Sequence, residues 1–125
     1  MKTVKGSSNP DGHWGNHQWI DLKSVNNGDW VGDFWEPAEN DREPWIEIIL
    51  EKSKPVKKAI LYEKKENIKS FELQGKSGDD WVILYKGKGI GSMLNVEFPE
   101  TKIDRFRLLI KEFSDLPGIY EIILQ

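Results

Sequence analysis

The chain has 125 residues, of which 38% are hydrophobic and 31% charged, with a formal net charge of −3. This length suits one domain, residues 1–125, with a single two-layer core, and the balance is that of a folded globular chain. No run approaches the roughly 20 apolar residues of a membrane span, the absence of cysteine removes disulfides and thiolate chemistry, and a net acidic chain lacks the basic footprint of a nucleic-acid binder.

Residues 1–5 (MKTVK) lack the apolar segment of a signal peptide, so an exported protein would carry its signal outside this chain. Residues 1–44 are dense in Gly, Asn, Asp, Pro and Trp and read as long loops around short strands such as Gln18–Leu22. Charge is uneven: the first fifty residues hold nine acidic side chains against four basic, the remainder twelve against fourteen. The acidic part also holds Trp14, Trp19, Trp30, Trp35 and Trp45, leaving only Trp81 further on.

From residue 45 the pattern becomes short alternating runs between turns. Trp45–Leu50 predicts a strand with Glu47 on its more polar face, and Pro55 predicts a break before Val56–Glu63. Glu63, Lys64, Lys65 and Glu66 read as a solvated hairpin tip. Ile68–Gln74 alternates as a half-exposed strand, and GKSGDD (75–80) carries the Gly and Asp of a hairpin turn leading to Trp81–Lys86. After the glycine-rich 87–91 stretch, Leu94, Val96 and Phe98 alternate until Pro99 predicts a stop; Phe106, Leu108 and Ile110 then alternate with Arg105, Arg107 and Leu109, and Tyr120–Leu124 closes the chain. No window keeps the apolar spacing of a helix, so the expected class is an all-β antiparallel sandwich. Its expected core is Ile48, Leu61, Phe71, Leu73, Leu94, Val96, Phe98, Phe106, Leu108 and Ile122.

No G-x-S-x-G elbow, H-E-x-x-H motif or phosphate-cradling loop is present. His13 and His17 form H-x-x-x-H, but Gly12 and Gly15 exclude the helix that would align them on zinc. Arg105 and Arg107 share a strand face, where each can pair with a neighbouring carboxylate or fork two hydroxyls.

The order of these pieces resembles the coagulation factor V/VIII type C, discoidin-like or galactose-binding-like, domains. The resemblance rests on Ser7-Ser8, the Asn27-Gly28-Asp29 turn before Phe34-Trp35, PWIEIIL (44–50), KPVKKAILYEK (54–64) and IKSFELQ (68–74). It continues through DDW (79–81), YKGKGIGS (85–92), VEFPETKIDRFRLLI (96–110) and PGIYEIIL (117–124). It implies a jelly roll of about eight strands, a structural calcium and a small sugar site at the end loops. The 85–91 turn and 106–110 strand are similar to versions appended to bacterial glycoside hydrolases such as α-L-fucosidases and chitobiases. The implied function is therefore a non-catalytic carbohydrate-binding module, linked C-terminally to a catalytic domain in a secreted, periplasmic or cell-surface bacterial protein. The competing expectation is a structural, protein-interaction or membrane-docking module; the acidity of the Trp-rich half opposes anionic membranes.

A sugar site needs an aromatic plane for C–H faces and polar side chains for hydroxyl edges. Trp14, Trp30 and Phe34, with His13 and Arg42, are the candidates for a terminal neutral sugar, whereas Trp35 and Trp45 match core positions of the family. For calcium, the resemblance points to Asn27, Asp29 and Asp33, closed by Glu121; oxygen donors in a tight turn suit a hard cation. Asn27 stands where the pattern usually has Asp, the loop is one residue longer before Trp35, and the usual Thr is missing.

Overall fold

A computed structural model describes residues 3–6, 37 and 39–125, with the backbone alone for 3–6 and 51. Six strands and no helix occur among the described residues: β1 (Thr3–Gly6), β2 (Trp45–Glu63), β3 (Ile68–Ser77), β4 (Asp80–Gly87), β5 (Leu94–Phe113) and β6 (Ile119–Leu124). All pairings are antiparallel, in the order β1-β2-β5-β3-β4, with β6 on the free side of β2.

The two longest strands serve both layers of the sandwich. The first part of β2 pairs with β1 and with the 105–109 part of β5, which also carries β3. Beyond a bend, the second part of β2 pairs with 94–103 of β5 and with β6. Ile46, Ile48, Phe71, Leu73, Phe106 and Leu108 from the first layer join Ala59, Leu61, Val96, Phe98 and Ile122 from the second in one buried cluster, so the two portions face each other. Of the expected core, only Leu94 is half-buried, packed against that cluster.

Two expected breaks are continuous strand. Pro55 lies within β2 opposite Lys102, and Pro99 lies within β5 between Glu97 and Thr101, where a register shift interrupts pairing with β2. Proline cannot donate to a ladder but is tolerated at bulges, which also supply the bend that lets one strand cross from layer to layer. Trp45 likewise departs from expectation. Alternation turns it, with Glu47, away from the core that Ile46 and Ile48 enter, and it is half-buried on the outer face. The β3–β4 hairpin closes as expected, with Gly78 at φ 66°, a left-handed conformation that glycine adopts without a Cβ clash.

Candidate functional site

Strand directions gather four of the described connections at one end, opposite the β3–β4 turn. Gly6 pairs with Ile46, Trp45 with Leu109, Ile68 with Phe113, Phe71 with Gly87 and Glu63 with Ile119, so the 39–44, 64–67, 88–93 and 114–118 connections all lie there. The end is held by a buried acid. Glu63, 2% exposed, accepts hydrogen bonds on Oε2 from the backbone N–H of Asn67 and Ile68, each 2.9 Å, and on Oε1 from that of Gly91 at 3.1 Å. The expectation of a solvated tip fails for this residue: alternation along β2 from Ala59 and Leu61 carries Glu63 inward at the rim. Burial pushes its carboxyl above the ordinary value, the three N–H groups and then Lys69 acting in the opposite direction. Asn67 extends the clamp: its Nδ2 donates to the Leu116 carbonyl at 3.0 Å, and its carbonyl accepts from the Ser114 N–H at 2.8 Å.

The clamped turn forms one wall of a polar cleft of about 140 Å³, with Lys64, Lys65 and Asn67 facing Asp115, Leu116 and Gly118. Arg42 is exposed in the turn before β2 at this same end, where the neighbouring Glu43 pairs with Lys111 at 3.2 Å. Trp14, Trp30, Phe34 and His13 lie outside the described residues, as do Asn27, Asp29 and Asp33. Glu121 stands in β6 opposite Tyr62, beside the Glu63–Ile119 pair, and is 1% exposed. It is the one member of the expected calcium set within the described residues.

A second cluster occupies the outer face of the first layer. Arg107 is opposite both Glu47 and Gln74 in register. Its Nε and Nη2 donate to Glu47 Oε2 at 3.0 and 2.7 Å, and its Nη1 donates to Gln74 Oε1 at 3.3 Å. The guanidinium lies 3.9 Å from the centroid of the Trp81 ring and 5.4 Å from that of Trp45, while Arg105 approaches Glu47 Oε1 at 3.7 Å. The arginines therefore pair with a neighbouring carboxylate, the commoner of their two expected uses. Glu47, 3% exposed, is neutralised by charge from the adjacent strand.

The family model for the F5/8 type C domain matches residues 3–122. This chain is an F5/8 type C domain. No curated protein sequence matches it, but the solved structures share its fold. A GH29 fucosidase from Ruminococcus gnavus, in complex with fucose, superimposes with a TM-score of 0.83 at 19% identity, covering 98% of the domain and 24% of the fucosidase chain. The domain thus spans about a quarter of that enzyme. Chitosan-binding module 2 from a chitosanase/glucanase of Paenibacillus sp. IK-5, in complex with chitotriose, gives 0.82 at 18% identity, covering 98% and 95%. CpGH89CBM32-5 from Clostridium perfringens, in complex with GalNAc-β-1,3-galactose, gives 0.80 at 19%, covering 98% and 94%.

Two features of the F5/8 type C domain escape a reading of its sequence. Glu63 follows an apolar run and precedes two lysines, which looks solvated; its partner Gly91 is 28 residues away. The Glu47–Arg107 pair spans 60 residues, although both members were visible as polar positions on alternating strands.

Proposed function

We propose that this F5/8 type C domain is a non-catalytic carbohydrate-binding module that takes a terminal neutral sugar at its loop end. The observation that carries the reading is the family match over 3–122, on a fold where four described connections converge at one end with a polar cleft. Sugar complexes of two similar modules, with chitotriose and with GalNAc-β-1,3-galactose, support it. In this reading Trp14, Trp30 and Phe34 supply stacking planes, and His13, Arg42 and nearby amides take the hydroxyls. The non-catalytic part is supported by two of the three buried acids among the described residues: Glu47 is committed to arginine and Glu63 to backbone N–H groups, so neither of these is placed to act as acid or base.

Such a site buries little area and makes few charge-assisted bonds, so its affinity is about 0.1–1 mM and nearly independent of salt. The domain serves as an accessory to a covalently linked catalytic domain in an exported bacterial glycoside hydrolase, where tethering raises the local concentration of polymeric glycan. Asn27, Asp29, Asp33 and Glu121 hold a structural calcium, which would contribute charge neutralisation and loop order; thorough chelation then lowers the melting temperature by mass action, and an unchanged value contradicts the site. The main test replaces Trp14 and Trp30 by Ala. Sugar-induced chemical-shift changes should vanish with the fold intact, and variants that bind like the parent would refute the assignment.

A second reading, a protein-docking module, draws on the outer face: Ile83 is 54% exposed there, beside the Trp and Arg side chains typical of interface hot spots. Sugar binding by the isolated domain separates the two.

A further inference from the structure

The turn clamped by Glu63 is the wall of two clefts. On the side away from Asn67 and Leu116, a larger hollow of about 290 Å³ opens between residues 66–69 and 88–91. Its floor is apolar, from Ile68 and Ile90, both buried. Its rim is charged, from Glu66, Lys69 and Lys88.

The rim is uncommitted. Neither the Glu66 carboxylate nor the Lys88 ammonium makes a hydrogen bond or ion pair among the described residues, and Lys69 Nζ spends one of its three donors on the Glu66 carbonyl at 3.1 Å. An acceptor and two donors around an apolar floor match a pyranose, which offers hydroxyls that donate and accept around a C–H face. The volume is at the small end of ligand pockets and suits one ring. Both walls are preorganised, because the same Glu63 carboxylate holds Ile68 on one and Gly91 on the other, and Glu63 N–H donates to the Gly91 carbonyl at 3.0 Å. Gly91 has φ 73°, a left-handed conformation that glycine adopts without strain, so glycine permits the turn.

We infer that this hollow is a second saccharide subsite, taking the neutral pyranose next to the terminal one. It rests on the carbohydrate reading above and names an occupant for a part of the end that reading leaves unused. Among the described residues no aromatic ring lines it, so they offer no stacking plane and the hollow adds to a primary site instead of replacing one. Two lysines against one glutamate disfavour an amino sugar carrying positive charge.

The test compares three monosaccharides with the disaccharides they terminate: galactose with lactose, N-acetylglucosamine with N,N′-diacetylchitobiose, and N-acetylgalactosamine with GalNAc-β-1,3-galactose. Each is titrated into the parent, Glu66→Gln and Lys88→Ala, with backbone amide shifts as the readout. In the parent, at least one disaccharide should bind about fivefold tighter than its terminal sugar, a gain of about 1 kcal/mol, and should move the Gly89 and Gly91 amides. Both variants should lose that gain and keep the monosaccharide affinity. The subsite is overturned if no disaccharide gains, if the gain survives both substitutions, or if the variants weaken monosaccharide and disaccharide alike. Absence of any sugar response in the parent overturns the carbohydrate reading and the subsite with it, whereas a monosaccharide response alone leaves the former standing.

Discussion

Glu47 and Glu63 are both nearly inaccessible carboxylates in the same strand, yet they are kept by opposite means. Glu47, on the outer face, is neutralised by guanidinium groups from β5, and Arg107 is stacked against Trp81. Glu63, at the loop end, is held by three backbone N–H groups from two different connections. The first arrangement stiffens a sheet that is already regular. The second fastens irregular loops, and so decides the shape of the clefts where binding is proposed. Burial alone does not tell what an acid is for; the chemistry of its partners does.

The largest effect should follow from breaking the outer-face pair. Glu47→Ala leaves the Arg107 guanidinium partly buried without its carboxylate and should cost about 3 kcal/mol, toward the lower part of the range for buried pairs because Arg107 is 24% exposed. Urea unfolding measures it. Arg107→Ala should cost a similar amount, and the double variant clearly less than the sum; additive losses would mean the two side chains do not act as a unit.

Glu63→Ala should cost less globally, about 2 kcal/mol for stranded backbone donors, but its signature is local. Hydrogen exchange should accelerate at Asn67, Ile68 and Gly91 and leave the β2–β5 ladder protected. Uniform acceleration would assign Glu63 to the core and not to the loop end.

The smallest effect is a pH dependence that separates the two acids. Burial raises the Glu63 pKa above its ordinary 4.5, so the folded state holds the proton more tightly than the unfolded chain. The stabilising contribution of this group is therefore full below about pH 4.5 and is lost as pH rises through the folded value. From pH 4 to 7 the parent should lose stability relative to Glu63→Gln, which does not titrate. A constant difference in melting temperature would show that the N–H donors cancel burial, and a parent that gains stability over the same range would show that they outweigh it.

The scaffold was readable where alternation is strict. Phe71 and Leu73, and Phe106, Leu108 and Ile110, are buried because period-two spacing leaves no other way to hide them. At Pro55 and Pro99 the local rule that treats proline as a stop fails, because register shifts let β2 and β5 run on between layers. For the loop end, the charged turn was visible and its geometry was not. Glu63 becomes a clamp only through Gly91 and Ile68, and no spacing rule links them. The family position places Trp45 inward, although its alternation with Ile46 points outward.

The most direct test of the account is an amide shift map of the parent domain titrated with the neutral mono- and disaccharides named above. Carbohydrate binding at the loop end predicts saturable shifts at millimolar sugar, confined to the described loops 39–44, 64–67, 88–93 and 114–118 and to Trp14, Trp30 and Phe34, with the outer face still. Shifts centred on Trp81, Ile83 and Arg107, or no shift with any sugar, would contradict it.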